Sequence, residues 1–214
     1  PLGSMMKDLI ERRLADPTLP MEEAFSQQLK EEELELPAGQ FALFMNSMYA
    51  VDAYVRDYFR KAALDALLAE KLPVTVFGEG WEKYSCGDGH SLRREPAVPF
   101  ALSFERIAKA HVLLNVSPIF NRGMHDRVPA GMANHAVVLT DENPYLRRTF
   151  TDGKELLFYS LEKPDTLCEQ AERTLTDVRL REKIAASAYE TFEREYTWKR
   201  RAEQILAFAE EVEA

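Results

Sequence analysis

Asn121, Arg122, Gly123, His125 and Arg127 fall within seven consecutive positions. They lie between a short apolar run, Val112 to Val116, and a helical pattern that opens on His125-Asp126-Arg127. Two guanidinium groups, an imidazole and an amide form a set rich in hydrogen-bond donors and positive charge. Such a set suits an anionic, phosphorylated ligand. Each residue also has a plainer reading. Asp126 can cap the helix that it precedes, Arg127 can make a surface ion pair, and His125 can be an ordinary loop histidine.

The neighbouring elements decide whether those groups face a ligand. A second apolar run, Ala136 to Thr140, follows after a single helix, and two parallel strands need a helix between them. The pair therefore reads as a parallel βαβ unit with its loop at the carboxyl end of the first strand, where open α/β sheets bind ligands. Asp141, Glu142 and Asn143 end the second strand on the same crevice. They either contact hydroxyl groups of a ligand or cap a short helix from Asn143 through Pro144. A further strand, Leu156 to Tyr159, continues the sheet.

Upstream, Pro73 to Phe77 reads as a strand closed by Gly78-Glu79-Gly80-Trp81. This turn lacks a third glycine and opens no clear helix, so a dinucleotide fingerprint is weakly supported. Trp81 reads as an anchor for the turn. Residues Glu82 to Pro99 form a loop with Gly87 and Gly89 and a short strand near Ala97. Ser103 is expected to cap a helix over Phe104 to Ala110. Before these come helices over Met6 to Ala15 and from Pro20 towards Pro37. A long helix over Ala38 to Lys71 carries Phe41, Phe44, Met48, Val51, Val55, Tyr58, Phe59 and Ala62 on one apolar face. The chain ends in helices over Asp165 to Leu175, Val178 to Tyr196 and Thr197 to Glu213, with Thr197 as cap. The fold class is α/β: a Rossmann-like parallel sheet of about four or five strands flanked by helices, with an N-terminal helical extension. Residues 1–4 read as the remnant of a cleaved tag, 5–36 as the extension and 37–214 as the Rossmann-like domain.

Composition removes other classes. The chain has 214 residues, 46% of them apolar, and a formal net charge of −9. That acidity argues against nucleic-acid binding, which needs clustered Lys and Arg. The run Glu31-Glu32-Glu33 with Glu35 reads as a solvated helix face. Cys86 and Cys168 are far apart, without ligand spacing, so neither a disulfide scaffold nor a zinc site is expected. No apolar run approaches a membrane span, and with no secretory signal the expected location is cytoplasmic.

The ordered series Gly78-Glu79-Gly80-Trp81, His125-Asp126-Arg127-Val128, Val137-Val138-Leu139-Thr140-Asp141, Phe150-Thr151-Asp152-Gly153-Lys154-Glu155 and Tyr196-Thr197-Trp198-Lys199-Arg200-Arg201 resembles a known group. It is similar to the C-terminal half of GT-B glycosyltransferases of the group 1 type, related to the CgeB spore-maturation proteins, over roughly Tyr54 to Leu206. The resemblance implies a nucleotide-sugar donor as substrate and no other cofactor or metal. It also implies an unknown acceptor, held by an N-terminal acceptor domain or a partner chain. Arg127 and His125 become candidate catalytic residues, Arg127 on the diphosphate and His125 on a phosphate or sugar hydroxyl. Arg122 is a second cation, and Gly78 and Gly80 would admit backbone amides to the diphosphate. Asp126, Glu142 and Asn143 are further candidate binding residues. Arg122 and Ala130 stand where many retaining members carry two glutamates, and His135 stands where a glycine is usual. The other reading is a non-catalytic interaction module with a vestigial pocket, docking through the long apolar-faced helix. A flavodoxin- or response-regulator-like domain fits less well, since the first strand precedes neither a phosphate loop nor an acidic cluster.

Overall fold

The computed structural model describes residues 2–85 and 91–213. Cys86, Gly87 and Gly89 lie outside the described residues.

Four helices come first: α1 (Leu2–Ala15), α2 (Met21–Glu31), α3 (Ala38–Ser47) and α4 (Tyr49–Ala69). The expected single helix over Ala38 to Lys71 is broken at Met48. There Asn46 and Ser47 are weak helix formers, and the Ser47 hydroxyl donates back to the Leu43 carbonyl. Val51, Val55 and Phe59 are buried as the apolar spacing requires, whereas Tyr58 faces solvent.

Strands β1 (Val74–Phe77) and β2 (Leu92–Glu95) pair in parallel as a small separate sheet. The second strand lies a few residues before the expected position near Ala97. Helix α5 (Phe100–Ile107) starts directly after Pro99, so Ser103 is an interior residue and not the cap. Its hydroxyl donates to the Phe100 carbonyl within the helix. A proline just ahead of the helix outweighed the serine as a start signal.

The main sheet follows: β3 (Val112–Asn115), α6 (Arg127–Ala133), β4 (Val137–Asp141), α7 (Pro144–Thr149) and β5 (Leu157–Tyr159). Its strands are parallel in the order β3-β4-β5. Helices α8 (Pro164–Thr176), α9 (Val178–Glu195) and α10 (Trp198–Glu213) close the chain. The Thr197 hydroxyl accepts from the Arg200 amide, as a cap should.

Alternation along the strands splits the core into two layers. Val137, Leu139, Leu157 and Tyr159 pack with residues of α1, α2, α4 and α8. Val138, Leu156 and Phe158 pack on the opposite face with Val128 and Met132 of α6, Leu146 of α7 and Ala188 of α9. Leu9, Met21 and Phe25 of the N-terminal helices belong to the first layer, so α1 and α2 share the sheet's core.

Gly131 lets α6 lie flat on the sheet. A Cβ there would stand 2.4 Å from Val138 Cγ2 and 3.0 Å from Leu113 Cδ2. A β-branched valine held in a strand has little room to give. Gly131→Ala is expected to lower stability by about 1–3 kcal/mol, the usual range for overpacking, as a reduced urea midpoint. An unchanged midpoint would show that α6 can lift off the sheet freely.

Candidate functional site

The carboxyl end of β3 is a buried polar floor. Asn115 is 1% exposed, and its side-chain amide donates to the Thr140 hydroxyl at 2.9 Å. The Ser117 hydroxyl and the Arg127 guanidinium both donate to Asn115 Oδ1, at 3.0 and 2.5 Å. The Tyr159 hydroxyl donates to the Asn115 carbonyl at 3.0 Å, and the Ser117 amide donates to Asp141 Oδ1 at 2.8 Å. Buried polar groups of this kind hold their geometry because an unmade bond there is costly.

Arg127, at the first position of α6, rises from this floor. Its Nη2 lies 3.1 Å from His125 Nε2. The Arg127 amide donates to His125 Nδ1 at 3.1 Å, and Asp126 Oδ1 lies 2.5 Å from the same nitrogen. Burial, then the charges of Arg127 and Arg60, push the His125 pKa down, and Asp126 only partly opposes them. The imidazole is therefore neutral at pH 7. It sits edge-on to Phe120 at 5.0 Å between ring centres. Asp126 does not cap α6 through its side chain. Helix α6 is only seven residues long, so the positive charge here belongs to side chains and not to a long helix dipole.

Burial and then the charge of Arg60 lower the pKa of Arg127, with Asp126, Asp141 and Tyr159 opposing them. Arginine starts so high that the group stays charged. Asp141 is 3% exposed, and burial raises its pKa from 3.8 to about 7. Hydrogen bonds from backbone amides and the charge of Arg127 restrain that rise.

The structure brings His125, Asp126 and Arg127 together. It gives the other candidates separate tasks. Arg122 forms an ion pair with Glu23 of α2. Glu142 accepts from Arg147 Nε at 2.7 Å. Asn143 caps α7 by accepting from the Leu146 amide, and its own amide donates to the Phe120 and Gly123 carbonyls, bracing the loop before His125. Gly78 and Gly80 close β1 with φ of 117° and 89°, a region that disfavours any Cβ. Trp81 anchors that turn through a bond from its indole to the Phe77 carbonyl. His135 takes a left-handed conformation and stacks on Tyr189 at 4.2 Å, a structural position.

Sequence reading missed Asn115, Ser117 and Tyr159, which carry Arg127, and it missed Arg60. It also missed Arg13 of α1, a buried arginine that pairs with Asp52 at 2.9 Å and donates to the Pro118 carbonyl at 3.2 Å. The Asn121 amide in turn donates to the Pro17 carbonyl at 2.7 Å. The extension is thus fastened to the loop after β3. Beside it, Pro17, Glu142, Arg147, Tyr159, Lys163 and Gln170 are among the residues lining a cleft of about 490 Å³ off β4 and β5. Among the described residues no group of three or more His, Cys, Asp or Glu could hold a metal, and no helix is long and apolar enough to cross a membrane.

Asp141 gives the site a pH signature. Its folded pKa lies above its unfolded value, so between about pH 4 and pH 7 the folded chain holds a proton that the unfolded chain has lost. Stability should fall through that window, by at most about 1.4 kcal/mol per pH unit. Asp141→Asn, which keeps an acceptor for Ser117, is expected to abolish that share of the fall and to gain on the native chain at pH 7.5. Urea midpoints measured from pH 4.5 to 7.5 decide it; parallel curves would mean that Asp141 does not titrate there.

Comparison with known proteins gives a family and a fold. The model of a family described as glycosyl transferase-like matches residues 56–207. No curated protein matches the sequence. Sixteen chains among solved structures match. Anabaena Alr3699/HepE in complex with UDP-glucose superposes with a TM-score of 0.58 at 11% identity, over 72% of this chain and 44% of HepE. The same protein with UDP and glucose gives 0.57 at 12% identity, with the same coverage. The chain thus spans less than half the length of HepE, and at these identities the likeness is one of fold, that of a GT-B glycosyltransferase.

Proposed function

Since the chain belongs to the glycosyl transferase-like family, we propose that it is the donor-binding half of a glycosyltransferase that uses a nucleoside diphosphate sugar. The observation that carries this reading is Arg127: a charged guanidinium, aimed from a buried polar floor at the carboxyl end of a parallel sheet. HepE was captured with UDP-glucose, and with UDP and glucose, which supports a nucleotide sugar as the donor class.

In the transfer, the bond between the anomeric carbon and the diphosphate oxygen breaks, and the nucleoside diphosphate leaves with the electron pair. A bond forms from an acceptor hydroxyl, which gives up its proton. Positive charge at the departing oxygens lowers the barrier. In this proposal Arg127 supplies it, making the transfer metal-independent. His125 has both ring nitrogens engaged, so its part is to orient Arg127. The acceptor would be held by a separate acceptor domain or partner chain.

Thermal shift with UDP, GDP, dTDP and their sugars tests the reading. A ligand at a hundredfold its Kd adds about 2.7 kcal/mol to the folded state. In a chain of this size that raises Tm by about 5 °C or more. The rise is expected for at least one nucleotide and should vanish in Arg127→Ala. No rise with any of them would overturn the proposal.

A second reading, an interaction module with a vestigial pocket, has one observation in its favour. Helix α10 exposes Trp198, Ile205, Phe208 and Val212 along one side. It predicts concentration-dependent self-association or partner capture together with no nucleotide response.

A further inference from the structure

Helix α4 runs back from the start of β1 and is 21 residues long, whereas β1 has four. At 1.5 Å per helical residue against about 3.3 Å per strand residue, the helix is more than twice as long as the strand, and its first turn is tied to the loop after β3 through Arg13. Asp52, Arg56 and Arg60 are spaced by four and share one face of α4. Asp52 fixes where the face points: Arg13 bridges it to the carbonyl of Pro118, in the loop after β3. One and two turns further along come Arg56 and Arg60, which lie within electrostatic reach of each other, and Arg60 acts on both His125 and Arg127.

Compensation there is thin. Among the described residues, Arg56 Nε and Arg60 Nη1 share one carboxylate, Asp57, at 3.5 and 4.0 Å, and the Asp57 side chain is 69% exposed. Asp52 is taken by Arg13 and Asp126 faces His125, while Asp141 is buried beneath Arg127. Among the described residues, Arg127 uses two of its five N–H groups in side-chain bonds. Three guanidinium groups gathered this way repel one another unless an anion joins them.

We propose that Arg56 and Arg60 of α4 form the second wall of the diphosphate site, facing Arg127, so that one anion is held by three guanidinium groups from two distant parts of the chain. The proposal rests on the donor-binding reading above and extends it from a single cation to a clamp. It also assigns a functional role to a helix that precedes the sheet altogether.

Titration calorimetry of the full chain with UDP and with inorganic pyrophosphate separates the two ideas. Arg56→Gln/Arg60→Gln is expected to weaken both ligands by about tenfold or more, the scale of a lost charge-assisted contact, with Arg60→Lys in between. The empty double variant should melt at the native temperature or about 2 °C higher, since repulsion is relieved. A merely structural pair would instead lower it. Native affinity in the double variant, with binding lost in Arg127→Ala, overturns the clamp and leaves the donor reading standing. Pyrophosphate binding lost in the double variant, with UDP bound no more tightly than pyrophosphate, keeps the clamp and overturns the donor reading. No binding of either ligand by the native chain overturns both.

Discussion

Asn115 is the residue on which the site depends. A charged guanidinium near a sheet edge has many rotamers, and holding one of them costs side-chain entropy. Asn115 removes that freedom from below, with Oδ1 accepting from Arg127 while Nδ2 is committed to Thr140. The amide cannot turn over, because Ser117 also needs its oxygen. His125 then limits Arg127 from the side. Two paired strands thus transmit their rigidity to one half-buried charge, and preorganisation of that kind gives electrostatic stabilisation its strength.

The rest of the charge distribution follows. Cations near this point have few free carboxylates, although the chain as a whole is acidic. The acidic residues that approach are consumed: Glu23 by Arg122, Asp52 by Arg13, Glu142 by Arg147. Net charge therefore says little about this crevice, while the pairing pattern says much. The small sheet of β1 and β2 contributes a glycine turn of positive φ, and its backbone conformation explains those glycines without any ligand.

What could be read beforehand was whatever is encoded locally. Strands β3, β4 and β5 were expected within a residue or two, because each is a short apolar run bounded by turns, and the parallel order followed from the helices between them. Asn143 before Pro144 and Thr197 before Trp198 announced their caps. The break at Met48 and the start of α5 were missed, since they turn on a balance of weak propensities. For the site, His125 and Arg127 stood out by type. Arg56 and Arg60 did not, because arginines four apart beside an apolar stripe look like any solvated helix face. Arg122, expected as a second cation, is instead paired with Glu23 of α2 by the tertiary structure. Burial of Arg13 is a contact across 105 positions, invisible to any local window.

That same separation bears on the order in which the chain assembles. Arg13 and Pro17 meet the Pro118–Asn121 loop only after about half the sequence has been traversed, and closing so long a loop is entropically late in folding. The loop must already be shaped by β3 and braced by Asn143 before the first two helices, which also hold to α3 and α4, can grip it. Phe25 has the rings of Phe41 and Phe44 beside it from nearby in the chain, so what the late contact adds is the grip of the extension on the sheet's loop.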